Sequence, residues 1–388
     1  MINHGRETMD INEAELVRMK DHLGEIQDPR RQWGNLRHKL VDILVIALCT
    51  VIIGEDEYEV MEDWALENEQ WLRGFLELPE GIPDRDTFRR LFERINPQEL
   101  LRSLNDWLHP GTVSGGREVN FDGKTARGSG KEGDHKALHI VSAWVGAQNL
   151  VLGQVATNEK SNEITAIPKV LDLIDIKGDV VTIDAMGCQT AIAQQIREKG
   201  ANYVLSVKEN QGILYQDIRE YCEYLEEKPC QDTPADQWTS TLEKDHGRIE
   251  RRSIITVTGL EWLDSKDSWK DLSTVIRYRT SRTIGESTTV ADQYYISSME
   301  ASAERFGQII RGHWSIENQL HWSLDVQFGE DASQIRKDRA PENMNILRKM
   351  ALALLRATPV PVKRFSTRRK SFKAATNRNF LFSVLFGK

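Results

Sequence analysis

Apolar residues recur at helical spacing over Ala14 to Leu23, Leu40 to Gly54, Glu59 to Leu76 and Thr87 to Ile95, with polar breaks between them. The stretch Asp84 to Leu91 places acids first and arginines later, the charge order that suits a helix. A region of this kind is either a plain helical bundle or a helix-turn-helix that reads DNA. The glycine-rich break Gly111 to Gly116 ends the helical texture. Beyond it, Glu118 to Phe121, Leu138 to Val145 and Val151 to Ala156 read as three successive strands. Glu163 to Ile174 then reads as a helix, Asp179 to Asp184 as a strand, Gln189 to Lys199 as a helix and Tyr203 to Val207 as a fifth strand.

The order β-β-β-α-β-α-β predicts an α/β fold, a ribonuclease-H-like mixed-sheet catalytic core. After a helix over Gln211 to Leu225, strands are expected at Gly247 to Val257, Ser273 to Tyr278 and Thr288 to Ile296, followed by a long amphipathic helix from Ala301 through Phe328. The expected segments are a helical N-terminal domain suited to DNA-end binding (1–112), the first part of the core (117–232) and a β-rich insertion (233–298). The last core helix (299–345) and a basic C-terminal segment (346–388) complete the chain.

At 388 residues and 39% hydrophobic, the chain is long enough for two or three packed units. Its most apolar run, Leu40 to Gly54, contains Asp42 and falls short of the roughly 20 residues that a membrane span needs. No membrane association is expected, and the polar, acidic start carries no secretory pattern. Cys49, Cys188, Cys222 and Cys230 lack CxxC spacing, which argues against zinc fingers and for reduced thiols in a cytoplasmic protein. The net charge of −8 hides a polarised distribution. From Arg348 onward, basic residues including Lys349, Arg356, Arg368, Arg369, Lys370 and Arg378 occur without an acid, a candidate phosphate-contacting tail.

Three carboxylates carry the candidate chemistry. Asp122 ends the first strand of the α/β region and Asp184 ends the fourth, its neighbour in the expected sheet, so that both reach one ion. Burying ionised carboxylates at apolar strand ends is costly unless a cation compensates them. Glu317 lies in RGHWSIENQLHW, where His313, Glu317 and His321 follow at i, i+4 spacing and share one helix face. Asp325, Glu330 and Asp331 compete for the third place, and the HxxxExxxH spacing differs from the HExxH of zinc hydrolases. Lys124 and Arg127 follow Asp122, Lys208 and Asn210 follow the fifth strand, and Arg248 lies with Arg251 and Arg252 beside His246. These residues, with Arg311 and His313, are candidate DNA contacts. Trp238, Trp262 and Trp269 are candidates to stack on a flipped base, core packing being the alternative.

Seven stretches carry a resemblance: DPRRQWGNLRHKLVDILVIAL, IPDRDTFRRLF, NFDGKTARGS, NEKSNEITAIPKVL, TIDAMGCQTAIAQQI, YVLSVKENQ and HWSIENQLHWSLDVQFGEDASQIR. In this order they resemble insertion-sequence transposases of the DDE type, the H-repeat-associated group. The resemblance implies Asp122, Asp184 and Glu317 as the catalytic and metal-holding acids, with two Mg²⁺ ions and Mn²⁺ as a substitute. It also implies metal-assisted cleavage at the element's ends, with the freed 3′-hydroxyl then attacking target DNA. Double-stranded DNA, as terminal inverted repeats and target, is the implied partner, with a homodimer as the active assembly on the bacterial nucleoid. Related transposases show Y-x2-R-x3-E-x6-K around the glutamate. Here Ile310, His313 and Leu324 hold those places, and Arg311 and His313 are the candidates for the arginine's role. A ribonuclease-H-fold nuclease without strand transfer and an inactive DNA-binding remnant are the alternatives.

Overall fold

A computed structural model describes residues 13–30, 36–111, 113–130, 136–157, 162–227, 235–240, 242–245, 247–361 and 365–387. His246 and Cys230 lie outside the described residues. In chain order the helical start comprises α1 (Glu13–Gly24), α2 (Leu40–Ile53), α3 (Tyr58–Glu67), α4 (Glu69–Leu72), α5 (Arg85–Phe92) and α6 (Pro97–Leu108). Next come β1 (Glu118–Ala126), β2 (Leu138–Val145), β3 (Leu150–Thr157), α7 (Glu163–Leu173), β4 (Val180–Ile183), α8 (Thr190–Glu198), β5 (Asn202–Val207) and α9 (Gly212–Glu227). The strands β6 (Ala235–Thr239), β7 (Glu243–Asp245), β8 (Arg248–Val257), β9 (Thr274–Ile284) and β10 (Ser287–Ser297) follow. Helices α10 (Ala303–Ser315), α11 (Trp322–Phe328), α12 (Ala340–Ala357), α13 (Thr367–Thr376) and α14 (Arg378–Phe386) close the chain, with a π-helical turn over Ile316–His321 joining α10 to α11.

Contact density divides the chain into two units, one of residues 1–112, 125–138 and 320–388 and the other of 113–124 and 139–319. The first unit is helical. The α2 sequence LVDILVIALCTVII is apolar on all sides and is buried accordingly. Its Asp42 is held by the backbone N–H groups of Glu77 and Leu78, at 3.3 and 2.8 Å. Helices α12 and α13 pack on α2, so the C-terminal segment shares one body with the N-terminal helices. Among the described residues, no helix is long and apolar enough to cross a membrane.

The basic run of this unit is largely a packing device. Arg348 is 2% exposed and pairs with Asp56 and Glu330, while Lys349 is buried. Lys370 donates to the carbonyls of Leu355 and Thr358, at 2.7 and 2.6 Å, closing the end of α12. Burial pushes the Lys370 ammonium below its usual pKa. Arg368 and Arg369 remain exposed, which narrows the tail expected to contact phosphates. The predicted helix over Glu59 to Leu76 is broken at Asn68, whose side-chain amide donates to the Trp64 carbonyl at 2.6 Å and so competes with the helical ladder.

The second unit is built on a ten-stranded mixed sheet in the order β3-β2-β1-β4-β5-β10-β9-β8-β6, with β7 paired to β8. Strands β1, β4 and β5 are parallel neighbours, and β2 and β3 form an antiparallel hairpin. The expected insertion does not stand apart from the core. Its strand β10 pairs antiparallel with β5, Tyr294 opposite Val207, and extends the same sheet. One sheet face, carrying Val119, Phe121, Val181, Ile183 and Leu205, packs with residues of α7, α8 and α9 in a large apolar cluster. The opposite face, with Val180 and Val204, packs with Phe306, Ile309 and Ile310 of α10. The α/β architecture with a helical N-terminal region agrees with the sequence expectation.

Candidate active site on the paired strands

The acids are positioned by register. Strands β1 and β4 pair in parallel from Glu118 opposite Val180 through Phe121 opposite Ile183, and Asp122 and Asp184 are the next residues. Asp184 follows the end of β4 as expected, whereas β1 runs on to Ala126, so Asp122 lies inside its strand and not at its end. Neighbouring strands are about 4.8 Å apart, within reach of a shared partner. The register is clamped where both strands begin. Asp179, fully buried, accepts from the backbone N–H groups of Gly115 and Arg117 at 2.8 and 3.0 Å. It also accepts from the Arg117 guanidinium, at 2.6 Å from one terminal nitrogen. A slip of one residue would turn every side chain to the other face.

Strand alternation puts Asn120 and Asp122 on the α10 face together with Thr182 and Asp184. There the Thr182 hydroxyl lies 2.7 Å from Asn120 Oδ1 and 2.7 Å from His313 Nδ1. Arg305 of α10 reaches Glu118, two residues before Asn120, at 2.7 Å. Helix α10 crosses the sheet: it starts at β6, where the Ala303 N–H bonds Asp236 at 2.7 Å, and ends over β4 and β1, with Gly312 against Glu118 and His313 at Thr182. Glu317 is exposed on the π-helical turn that follows α10. Turns of this type are uncommon and cluster at functional sites. The wider turn replaces the expected single face, and His321 falls in the other unit.

Each aspartate is oriented by local backbone. Asp122 Oδ1 accepts from the N–H of Gly123 at 2.8 Å, and Asp184 Oδ1 from that of Met186 at 3.1 Å. Asn210 donates to the Ala185 carbonyl at 2.7 Å and Gln211 to that of Cys188 at 2.8 Å, tying the loop after β5 to the loop that begins at Asp184. Asp184, Lys208, Asn210 and Tyr215 line a cleft of about 750 Å³. A second cleft, of about 650 Å³, is lined by Glu317, Trp314, Arg311, Arg248, Arg252 and Arg282, and shares Ala291 and Gln293 with the first.

In the second cleft the arginines are held by two glutamates. Arg248, Arg252 and Arg282 surround the buried Glu250, and Arg311 bonds Glu243 at 2.6 and 3.1 Å. The Arg311 bond, joined by Arg252, holds the Glu243 carboxyl below its ordinary pKa. Lys124 lies two residues beyond Asp122 on β1, whereas Arg127 belongs to the other unit and contacts Asp331 there at 3.7 Å. The proposed stacking tryptophans are packed: Trp262 stacks on Tyr221 at 3.9 Å, Trp269 is buried, and Trp238 packs against the α10 cluster. The exposed indole beside Glu317 is Trp314, 47% accessible, which the sequence reading missed. Burial, with a push from Asp184, raises the Cys188 thiol to about 12, so it supplies neither thiolate nucleophile nor ready metal ligand.

The donor set at Asp122 and Asp184 consists of carboxylate oxygens, the chemistry of a hard divalent cation. The register gathers two of them. Among the described residues, no group of three or more His, Cys, Asp or Glu side chains lies close enough together to hold a metal ion. Asn120 and Thr182 were also missed at the sequence level, although a polar residue two positions before each acid in an apolar strand is a legible signal.

Residues 109–354 match the family model described as Transposase DDE domain, and residues 20–108 match the one described as DDE_Tnp_1-associated. The chain is 39% identical over 371 residues to "Putative transposase YncI" of Escherichia coli O157:H7, across 94% of this chain and 93% of that one. It is 37% identical over 380 residues to "H repeat-associated putative transposase YhhI" of Escherichia coli strain K12, across 96% and 99%. Among solved structures, it aligns with a piggyBac transposase in a synaptic complex with hairpin DNA at a TM-score of 0.44 and 10% identity, over 96% of this chain and 79% of that one.

Proposed function

The chain belongs to the DDE-domain transposases, and from that premise we propose that it cuts DNA at the ends of its own element and joins the freed 3′ ends to target DNA. The observation that carries the proposal is the parallel register that sets Asp122 beside Asp184, with α10 fastened to the same strand face one turn before Glu317. The order β3-β2-β1-β4-β5, three parallel strands beside an antiparallel hairpin, supports a ribonuclease-H-like core.

Asp122, Asp184 and Glu317 are the proposed catalytic residues and would hold Mg²⁺, or Mn²⁺ in its place. Two such ions, when bound, activate the attacking oxygen and stabilise the leaving one. The protein's part is positional. The Gly123 and Met186 N–H groups each bond one oxygen of an aspartate and orient its carboxylate. His313 holds the helix that bears Glu317. Lys124, Arg127, Lys208, Asn210, Arg248 and Arg311 are the proposed contacts to the DNA backbone, where guanidinium groups favour bidentate phosphate recognition. Arg311 and Arg248 would exchange their glutamate partners for phosphates as DNA enters. Terminal inverted repeats and target duplex are the proposed substrates, and a homodimer bridging two ends on the nucleoid is the proposed assembly.

Incubating the protein with DNA that spans the ends of its element, in Mg²⁺, tests the proposal. Joined products are expected. Nicks without joining would mark a nuclease instead, and a mobility shift without cutting would mark a DNA-binding remnant.

A further inference from the structure

The strand segment that carries Asp122 rests on a buried pair to which the proposed chemistry gives no role. His139, the second residue of β2, is 1% exposed, and Glu163, the first residue of α7, is 5% exposed. Their side chains meet at 2.6 Å, Nε2 to Oε1. A carboxylate at this depth needs a hydrogen-bonding or ionic partner, and His139 supplies one to Glu163. Gly123 lies directly against both. A Cβ added there would fall 2.3 Å from His139 Nε2 and 2.4 Å from Glu163 Oε1, with the Glu163 carboxyl carbon at 2.9 Å. The pair cannot yield freely, because its two ends are bonded to each other and enclosed.

The same Gly123 supplies the N–H that orients Asp122. Strand alternation points Asp122 to the α10 face and places Gly123 on the α7 face, where Val141 and Ile167 belong to the core. The height at which β1 sits at Asp122 and Gly123 is therefore set from below by His139 and Glu163.

We propose that His139 and Glu163 form a positioning pair for Asp122, a buried floor on which the Gly123 backbone rests so that the Asp122 carboxylate is held at its working place. The inference rests on Asp122 being a catalytic carboxylate. A misplacement of about 1 Å at such a group is worth on the order of a hundredfold in rate. The pair acts through Gly123 and touches neither DNA nor the reacting phosphate.

The test uses the full-length chain, a duplex carrying the terminal repeat, and single-turnover cleavage in Mg²⁺ at saturating and limiting DNA. Glu163→Ala is expected to lower the saturated rate roughly 10- to 100-fold while the DNA concentration giving half-maximal rate stays unchanged. Glu163→Gln keeps the shape and a hydrogen bond and is expected to restore most of the rate. Gly123→Ala is expected to slow the reaction as Glu163→Ala does. The double variant should lose less than the product of the two single losses, because the added methyl takes space the carboxylate has left.

Wild-type cleavage by Glu163→Ala or by Gly123→Ala overturns the inference, as does a loss confined to DNA affinity. A Glu163→Gln variant as slow as Glu163→Ala also overturns it, since positioning by shape would then be insufficient. Where Glu163→Ala fails to fold, Gly123→Ala and Glu163→Gln decide the matter alone. Asp122→Ala serves as the control. If that variant still cuts, the active-site proposal falls, whereas an inactive Asp122→Ala beside a fully active Glu163→Ala sinks only the positioning pair.

Discussion

Replacing Asp179 by alanine removes the clamp that sets β1 level with β4. The buried carboxylate accepts two backbone N–H groups and the Arg117 guanidinium, whose side chain is 8% exposed. Removing one partner of a buried ion pair costs about 3–5 kcal/mol, because the other charge stays buried without compensation. The stranded Gly115 and Arg117 N–H groups add on the order of 1 kcal/mol or more each if water does not reach them. A loss of about 3 kcal/mol is the conservative expectation, since relaxation of the loop at Gly115 and Gly116 recovers part of the penalty. Asp179→Asn retains one acceptor oxygen and should lose less than Asp179→Ala.

Hydrogen exchange at the Val119, Phe121, Val181 and Ile183 amides reads the effect locally, without assuming that both units unfold together. At about 1.4 kcal/mol per decade, exchange there should accelerate by roughly a hundredfold in Asp179→Ala, with the amides of α2 unchanged. An acceleration under about fivefold, or one equal in both units, would refute the clamp.

Three further outcomes follow from the same geometry. His313→Ala should lower cleavage roughly 10- to 100-fold at saturating DNA, by loosening the turn before Glu317, while costing about 1 kcal/mol of stability in chemical denaturation. An unchanged rate would detach Thr182 from the site. Arg311→Ala should weaken DNA binding and reduce the slope of log affinity against log salt by about 1, and a slope equal to that of the wild type would remove Arg311 from the interface. Lys370→Met should lower stability by about 1–3 kcal/mol in a thermal melt through the abandoned carbonyls of Leu355 and Thr358, yet leave the salt dependence of DNA binding alone. Loss of affinity at full stability would return Lys370 to the phosphate contacts.

The parallel core was legible because its strands carry local signals. Apolar runs ending at Asp122 and Asp184, with short connections through α7 and α8, define β1, β4 and β5 with little ambiguity. The continuation of the sheet was hidden, since the pairing of β10 with β5 joins residues far apart in sequence and leaves no local mark. Charge clustering misled for a similar reason. Arg348 finds Asp56 at a separation of 292 residues, and a basic tail read without its partners resembles a solvated one.

The π-helical turn at Glu317 escaped notice because its apolar residues keep an ordinary helical rhythm, so the wider turn shifts the face without altering the pattern. Trp314 was passed over for tryptophans in the strand-rich region, which turned out to fill the core. The buried contact of Gly123 with His139 and Glu163 joins β1, β2 and α7, and becomes visible only in three dimensions.

The most direct test of the central claim exchanges the metal preference of the paired aspartates. Asp122→Cys and Asp184→Cys replace a hard carboxylate by a softer thiolate, which disfavours Mg²⁺ relative to Mn²⁺. Cleavage of terminal-repeat DNA by each variant should be at least about a hundredfold slower than wild type in Mg²⁺, with a much smaller deficit in Mn²⁺. Wild-type cleavage by either variant in Mg²⁺ would contradict the assignment of Asp122 and Asp184 as the catalytic, metal-holding pair.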